Sequence, residues 1–419
     1  MKQKVETKSI KLGLRENWQQ FAWLVLVTGF VGGMVGMERT LLPQLAESVF
    51  HIASTSAVLS FIVAFGITKA ITNYFTGALA NKLGRRNLLI IGWVIGLPIP
   101  WILMYTHSWN LVVLANILLG LNQGLTWSST VVMKMDLVGE KNRGMAMGLN
   151  EFAGYLAVGL VALLTAYLAS RFGLRPYPFM IGVVFSVLGL LVSLFIIKDT
   201  QFHVAAAKVA DNLQLRRVFW DTTLFNRNLS AVTQAGLVNN LNDGMAWGLL
   251  PVLLANRGLH LTEIGLVTAI YPGVWGIGQL FTGRLADFVS RKSLLFWGML
   301  LQGISLMLLV WATSLNQFIM ISFFLGLGTA LVYPTFMIAI SENTNPAQRP
   351  ESLGVFRLWR DLGYAIGALL TGVLLAYSGV SATIFAIAGF TVFSALVIQF
   401  RMQQTPDVLP VPHPTGLSI

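Results

Sequence analysis

The feature that most constrains this chain is a succession of long apolar runs with almost no charge inside them. About 20 apolar residues suffice to cross the hydrocarbon of a bilayer as a helix. Lipid offers no partner for backbone N–H and C=O groups, so such runs must satisfy their own backbone and fold as helices. Twelve are legible, at 18–46, 56–80, 87–106, 109–134, 143–170, 176–198, 228–255, 263–286, 293–313, 315–341, 350–377 and 380–401. Charged residues make up 11% of the chain, against about 25% in a soluble domain. The expected fold class is all-α and integral to a membrane. Its parts are a six-helix bundle over 1–198, a linker over 199–227, a second six-helix bundle over 228–402 and a disordered tail over 403–419. The linker carries Lys208, Arg216 and Arg217 ahead of Phe219 and Trp220, the pattern of a basic amphipathic segment lying on a membrane surface. The tail, with Pro406, Pro410, Pro412 and Pro414, has little to pack.

The net charge of +11 is topological. With both termini on the cytoplasmic side, inner segments hold 21 of the 28 Lys and Arg residues, and the outer loops hold only Arg171, Arg175 and Arg257. That bias sets orientation in an inner (plasma) membrane. No basic and aromatic patch on a soluble domain offers itself to nucleic acid. The basic N-terminus precedes a run that contains Glu38 and Arg39, which argues against a cleaved leader. Cysteine is absent, which excludes disulfides and thiolate metal sites. No nucleotide-binding glycine motif, metal-ligand spacing or nucleophile–base pattern occurs, so no cofactor, metal or enzymatic chemistry is expected.

The two bundles are copies. Phe75-Thr76-Gly77-Ala78-Leu79-Ala80-Asn81-Lys82-Leu83-Gly84-Arg85-Arg86 returns 206 residues later as Phe281-Thr282-Gly283-Arg284-Leu285-Ala286-Asp287-Phe288-Val289-Ser290-Arg291-Lys292. Leu119-Gly120-Leu121 matches Leu325-Gly326-Leu327, and Arg143 with Gly148 matches Arg349 with Gly354, at the same spacing. Gly36-Met37 and Pro43 match Gly244-Met245 and Pro251 at 208. An even number of spans per copy makes the repeats parallel, related by an axis along the membrane normal.

Twelve spans, a six-plus-six duplication, a long central loop and a glycine, Asn/Asp and paired basic residues after the second span resemble the major facilitator superfamily. The likeness covers everything but the tails. It implies alternating access of two halves around a midplane site, with spans 1, 4, 7 and 10 lining a cavity. Spans 2, 5, 8 and 11 would flank it, and 3, 6, 9 and 12 would face lipid. It also gives a conformational-switch role to Gly77, Asn81, Arg85, Arg86, Gly283, Asp287 and Arg291. Three positions depart from the pattern. Asn81 stands where an Asp is usual, Gly120 stands where an Arg often precedes Gln123-Gly124, and span 5 lacks the glycine–proline signature of many drug antiporters. The last two set the chain apart from a standard multidrug antiporter.

Eight charged residues fall inside spans: Glu38, Arg39, Lys69, Glu151, Asp243, Arg357, Arg360 and Asp361. At a helix centre each costs roughly 2.5–3.5 kcal/mol on insertion scales, so they must pair or line water. They avoid spans 3, 6, 9 and 12. Arg357 and Asp361 share a helix face and can pair, with Arg360 on the adjoining turn. The repeat sets Glu151 opposite Arg357, which predicts a pair across the seam between halves. Span 7 carries Gln234, Asn239, Asn240, Asn242 and Asp243, more polarity than packing needs, and Gly244 and Pro251 permit unwinding. Asp243 should stand beside a cation or water, with donors from the Asn-rich face, and its conversion to Asn should leave insertion intact. Glu38 and Arg39 are adjacent and must face different ways. Lys69 needs a partner from another span. Glu38, Arg39, Lys69, Glu151, Asn239, Asp243, Arg357, Arg360 and Asp361 are the candidate substrate- and proton-binding residues. The expected function is secondary active transport of a small solute by a monomer in the bilayer, coupled to protons, with an anion or zwitterion slightly favoured. Alternatives are proton-driven efflux of amphipathic compounds, a transporter-like lipid translocator and a sensor without turnover.

Overall fold

The computed structural model describes residues 12–52, 59–138, 143–200, 215–345 and 348–403, without every side chain inside its helices. Among the described residues every regular element is helical. In chain order these are α1 (Trp18–Ser48), α2 (Ser60–Leu83), α3 (Arg85–Tyr105), α4 (Trp109–Val138), α5 (Arg143–Phe172) and α6 (Tyr177–Phe195). The second half continues with α7 (Arg227–Asn256), α8 (Leu261–Phe288), α9 (Arg291–Leu308) and α10 (Leu315–Glu342). The helical stretch Arg349–Arg401 turns at Gly379, whose φ of 74° suits a residue without a side chain. It supplies α11 (349–378) and α12 (380–401). Residues 201–214 of the linker and nearly all of the tail lie outside the described residues; the linker's end forms a helical turn, Val218–Trp220, running into π-helical Asp221–Phe225.

Among the described residues, eight helical stretches, the double one included, are long and apolar enough to cross a membrane. α2, α7 and α9 fall short because of what they carry. α2 holds Lys69 and Asn73, α7 holds its run of Asn residues, and α9 opens on Arg291-Lys292. Polarity that weakens a span's own insertion must be repaid by neighbours.

The repeat is visible in packing. Gly120 of α4 lies against the backbone of Phe65 in α2, and Gly326 of α10 lies against that of Tyr271 in α8. A side chain at either glycine would push the paired helices apart. Thr76 Oγ1 donates to the Gly124 carbonyl at 3.2 Å, and Thr282 Oγ1 donates to the Ala330 carbonyl at 2.8 Å. Arg85 pairs with Asp136 at 3.1 Å, and Arg291 pairs with Glu342 at 2.8 Å. All three contacts recur at the 206-residue spacing. The α1–α5 contact runs over Gly32 and Gly36, and α7–α11 over Gly363 and Gly367.

The halves meet along two seams. In one, α2 packs on α11, with Gly66 against Tyr364 and Ala365. In the other, α5 packs on α8, with Gly159 against Ala269 and Gly273. Large apolar side chains point outward from α3, α6, α9 and α12, among them Trp101, Leu191, Trp297 and Phe393. That is the surface lipid would cover.

Candidate functional site

The polar groups that the helices carry inward collect at three places. The first joins α1 to α7. Arg39 Nη2 lies 2.7 Å from Oδ1 and 2.8 Å from Oδ2 of Asp243, and both residues are buried. The Arg39 guanidinium also sits 5.4 Å from the Trp247 ring centre and 6.0 Å from that of Tyr271. A cavity of about 10 Å³, room for one water, lies beside them. The expected neighbour of Asp243 is therefore a cation. The Asn-rich face does something else. Asn240 reaches Asp361, Asn242 bonds Gln302 and Thr391, and Asn239 donates to Asn240. α7 is helical throughout, so Gly244 and Pro251 unwind nothing here. Nor is Asp243→Asn a simple removal of a buried charge, because it strands Arg39. Glu38 points the other way, as adjacency required. It lies fully buried beside Asn116 of α4, with neither carboxylate oxygen in hydrogen-bonding geometry with a donor.

The second place joins α2 to α11. Asp361 Oδ1 lies 3.6 Å from Lys69 Nζ and 3.6 Å from Arg360 Nη1. Its shorter contacts come from amides: Asn73 donates to Oδ2, and Asn240 donates to Oδ1 at 3.4 Å. The helix-face argument gave Asp361 to Arg357; the structure gives it to Lys69 and Arg360. Arg357 instead donates to Ser128 Oγ of α4 at 3.1 Å. Lys69 arrives from a different helix, α2, which packs on α11.

Arg360 leads to the third place. Its Nη2 donates to the Tyr155 hydroxyl at 3.3 Å, while its guanidinium lies 4.3 Å from the Tyr333 ring centre and 5.8 Å from that of Trp275. Tyr155 and Trp275 stack with centroids 3.4 Å apart. Glu151, one helical turn before Tyr155, accepts from Trp127 Nε1 at 3.1 Å and from Asn150 Nδ2 at 2.7 Å. It makes no ion pair with Arg357 among the described residues, and its Oε2 has no donor. The predicted seam pair is thus a proximity without a contact. The cause is local: an indole and a neighbouring amide already hold the carboxylate on its own half.

Sequence reasoning missed a buried charge at this centre. Lys134, fully buried on α4, donates to Thr28 Oγ1 at 2.6 Å and to the Leu24 carbonyl at 3.2 Å. The apolar run seemed to end at Lys134, but the helix continues to Val138. Thr28 passes the contact on to Asn150 at 3.3 Å, so Lys134 and Glu151 are linked through hydrogen bonds.

The switch residues lie away from this centre. Arg85 and Arg291 hold Asp136 and Glu342, and Arg86 caps α6 through the Ser193 and Leu194 carbonyls at 3.3 and 2.5 Å. Gly283 is part of α8. The side chains of Asn81 and Asp287, and Gly77, lie outside the described set. Among the described residues no group of His, Asp and Glu could hold a metal.

The family model of the Major Facilitator Superfamily matches residues 22–230 and 232–417. Multidrug resistance protein MdtG of Escherichia coli, strain K12 among others, is 23% identical over 407 residues, which span 94% of this chain and 97% of MdtG. The crystal structure of the human organic anion transporter MFSD10 (TETRAN) superposes with a TM-score of 0.69 at 16% identity. It covers 91% of this chain and 99% of its own.

Proposed function

The chain belongs to the major facilitator superfamily of membrane transporters, and within it we propose a proton-coupled secondary transporter of an organic anion, working by alternating access. The observation that carries this is the balance of buried charge. Within the helices of the centre, buried Arg39, Lys69, Lys134 and Arg360 face buried Glu38, Glu151, Asp243 and Asp361. Of these acids, Glu38 and Glu151 have no cation in contact among the described residues, which leaves the bases in surplus. A buried cation without an equal counter-charge is costly, and an anionic solute would relieve that cost.

The charged groups lie on α1, α2, α4, α5, α7 and α11, where two rocking halves would part and rejoin. Protons would load on the carboxyls that lack a cation, Glu38 and Glu151. The end bearing the basic turns and both termini would face the cytoplasm, in the inner membrane.

Efflux of amphipathic compounds is the second reading, favoured by the rings of Trp127, Tyr155, Trp275 and Tyr333 around the centre. A pH step across proteoliposomes, screened against anions, cations and neutral amphipaths, separates the two. Anion flux dependent on the step supports the first reading. Flux of cations or neutral amphipaths with no anion flux overturns it.

A further inference from the structure

The two seams carry different chemistry at corresponding positions. At the repeat spacing Lys69 corresponds to Trp275, and Asp361 corresponds to Tyr155. The ion pair of one seam is therefore the ring stack of the other: Lys69 with Asp361 between α2 and α11, Trp275 with Tyr155 between α8 and α5. Arg360 stands between them, touching Asp361 on one side and Tyr155 and Tyr333 on the other. The centre has a charged pole and an aromatic pole, bridged by one guanidinium.

Its donors are not used up. Lys69 Nζ and Arg360 Nη1 both approach the same carboxylate oxygen, and neither closes to hydrogen-bond distance. Arg360 Nε, in a residue only 4% exposed, has no acceptor among the described residues. Asp361 takes its hydrogen bonds from Asn73 and Asn240 instead. Fixed from outside in this way, Asp361 keeps two cations together without saturating them. Lys69 further lies 5.1 Å from the Tyr364 ring centre and 5.9 Å from that of Trp127.

We propose that Lys69 and Arg360 bind the carboxylate of a planar aromatic acid whose ring packs against Tyr155, Trp275 and Tyr333. Resting on the organic-anion reading above, this adds the substrate class and the residues that select it. A guanidinium forks onto a carboxylate, and the ammonium supplies a second charge-assisted donor. Aromatic walls favour a flat ring over a puckered one by offset stacking. Arg357 is held at Ser128 and is not part of the clamp.

The test is binding of four probes to the purified full-length protein, followed by tryptophan fluorescence and thermal shift. The probes are 2-naphthoate, benzoate, cyclohexanecarboxylate and benzamide. Affinity should fall in that order, with benzamide showing no saturable binding. Lys69→Gln and Arg360→Gln should each weaken benzoate by roughly tenfold or more. Arg357→Gln should change it less than about twofold, and Arg360→Lys should restore part of the loss. Equal binding of cyclohexanecarboxylate and benzoate overturns the aromatic class. Undiminished benzoate binding in folded Lys69→Gln and Arg360→Gln overturns the clamp. If no anion binds or moves in the wild type while cations or neutral amphipaths do, the organic-anion reading itself fails. The wild-type ranking needs no variant, so a substitution that misfolds does not remove the test.

Discussion

The α2–α11 seam and the α5–α8 seam are built from corresponding positions, yet one is closed by ions and the other by rings. Lys69 with Asp361 needs Arg360, Asn73 and Asn240 around it, because each charge taken from water must be compensated. Tyr155 with Trp275 needs only flat contact, plus one hydrogen bond from Arg360 to the Tyr155 hydroxyl. Duplication fixed where the halves touch and left open what they touch with. A third tie, Arg39 with Asp243, is ionic like the first but closes to hydrogen-bond distance, with both carboxylate oxygens bonded below 3 Å. A pair closed at that distance fits a latch, whereas cations held 3.6 Å from their carboxylate leave a site.

The largest effect should come from breaking the ionic seam. Asp361→Leu leaves Lys69 and Arg360 facing each other without a carboxylate, at a cost of about 3–5 kcal/mol in unfolding free energy. Denaturant titration in detergent measures it, and adding Lys69→Met should recover part. A single variant as stable as the wild type would mean that the seam does not depend on its charge.

Asp243→Asn strands one cation rather than two, so we expect about 3 kcal/mol in the same titration. Charge reversal, Arg39→Asp with Asp243→Arg, should return much of that loss. No recovery would mean that Trp247 and Tyr271, rather than the charge pair, position Arg39.

On the ring seam, Trp275→Leu should cost about 2 kcal/mol through lost burial and stacking. A cost equal to that of Asp361→Leu would erase the distinction between the seams.

The repeated pair beyond the seams sharpens the contrast between burial and exposure. Arg85 and Asp136 have side-chain exposures of 8% and 13%, while Arg291 and Glu342 have 25% and 34%. Arg85→Gln should therefore cost about 1–3 kcal/mol, and Arg291→Gln less than about 1 kcal/mol. Equal costs would show that the duplicated pair works alike in both halves.

The smallest effect concerns Glu151 and Arg357. Held by separate partners, they should couple by less than about 0.5 kcal/mol in a double-mutant cycle. A larger coupling would restore the direct pair that the repeat suggested.

Much was already in the amino-acid order. Backbone groups in lipid have one remedy, so apolar length alone dictates helices. Those helices begin and end within about five residues of where the apolar runs do; α2 starts late at Ser60, α9 stops short at Leu308, and α4 runs on past Lys134 to Val138. The duplication followed from spacing, and the list of charges inside the helices lacked Lys134 and Arg85, both buried. Partner choice was not legible. A helix-face rule compares neighbours on one helix, as with Arg357 and Asp361, and it is blind to a lysine arriving from another helix. Arg39 meets Asp243 204 residues away, a distance at which no periodicity operates. Nor does an aromatic residue announce from sequence that it occupies the place an ion pair holds in the other half. Local chemistry and the cost of lipid determined which segments become helices and which groups go inside. The packing of twelve helices decided which buried charge faces which, because that depends on a competition among side chains that meet only once the halves are docked.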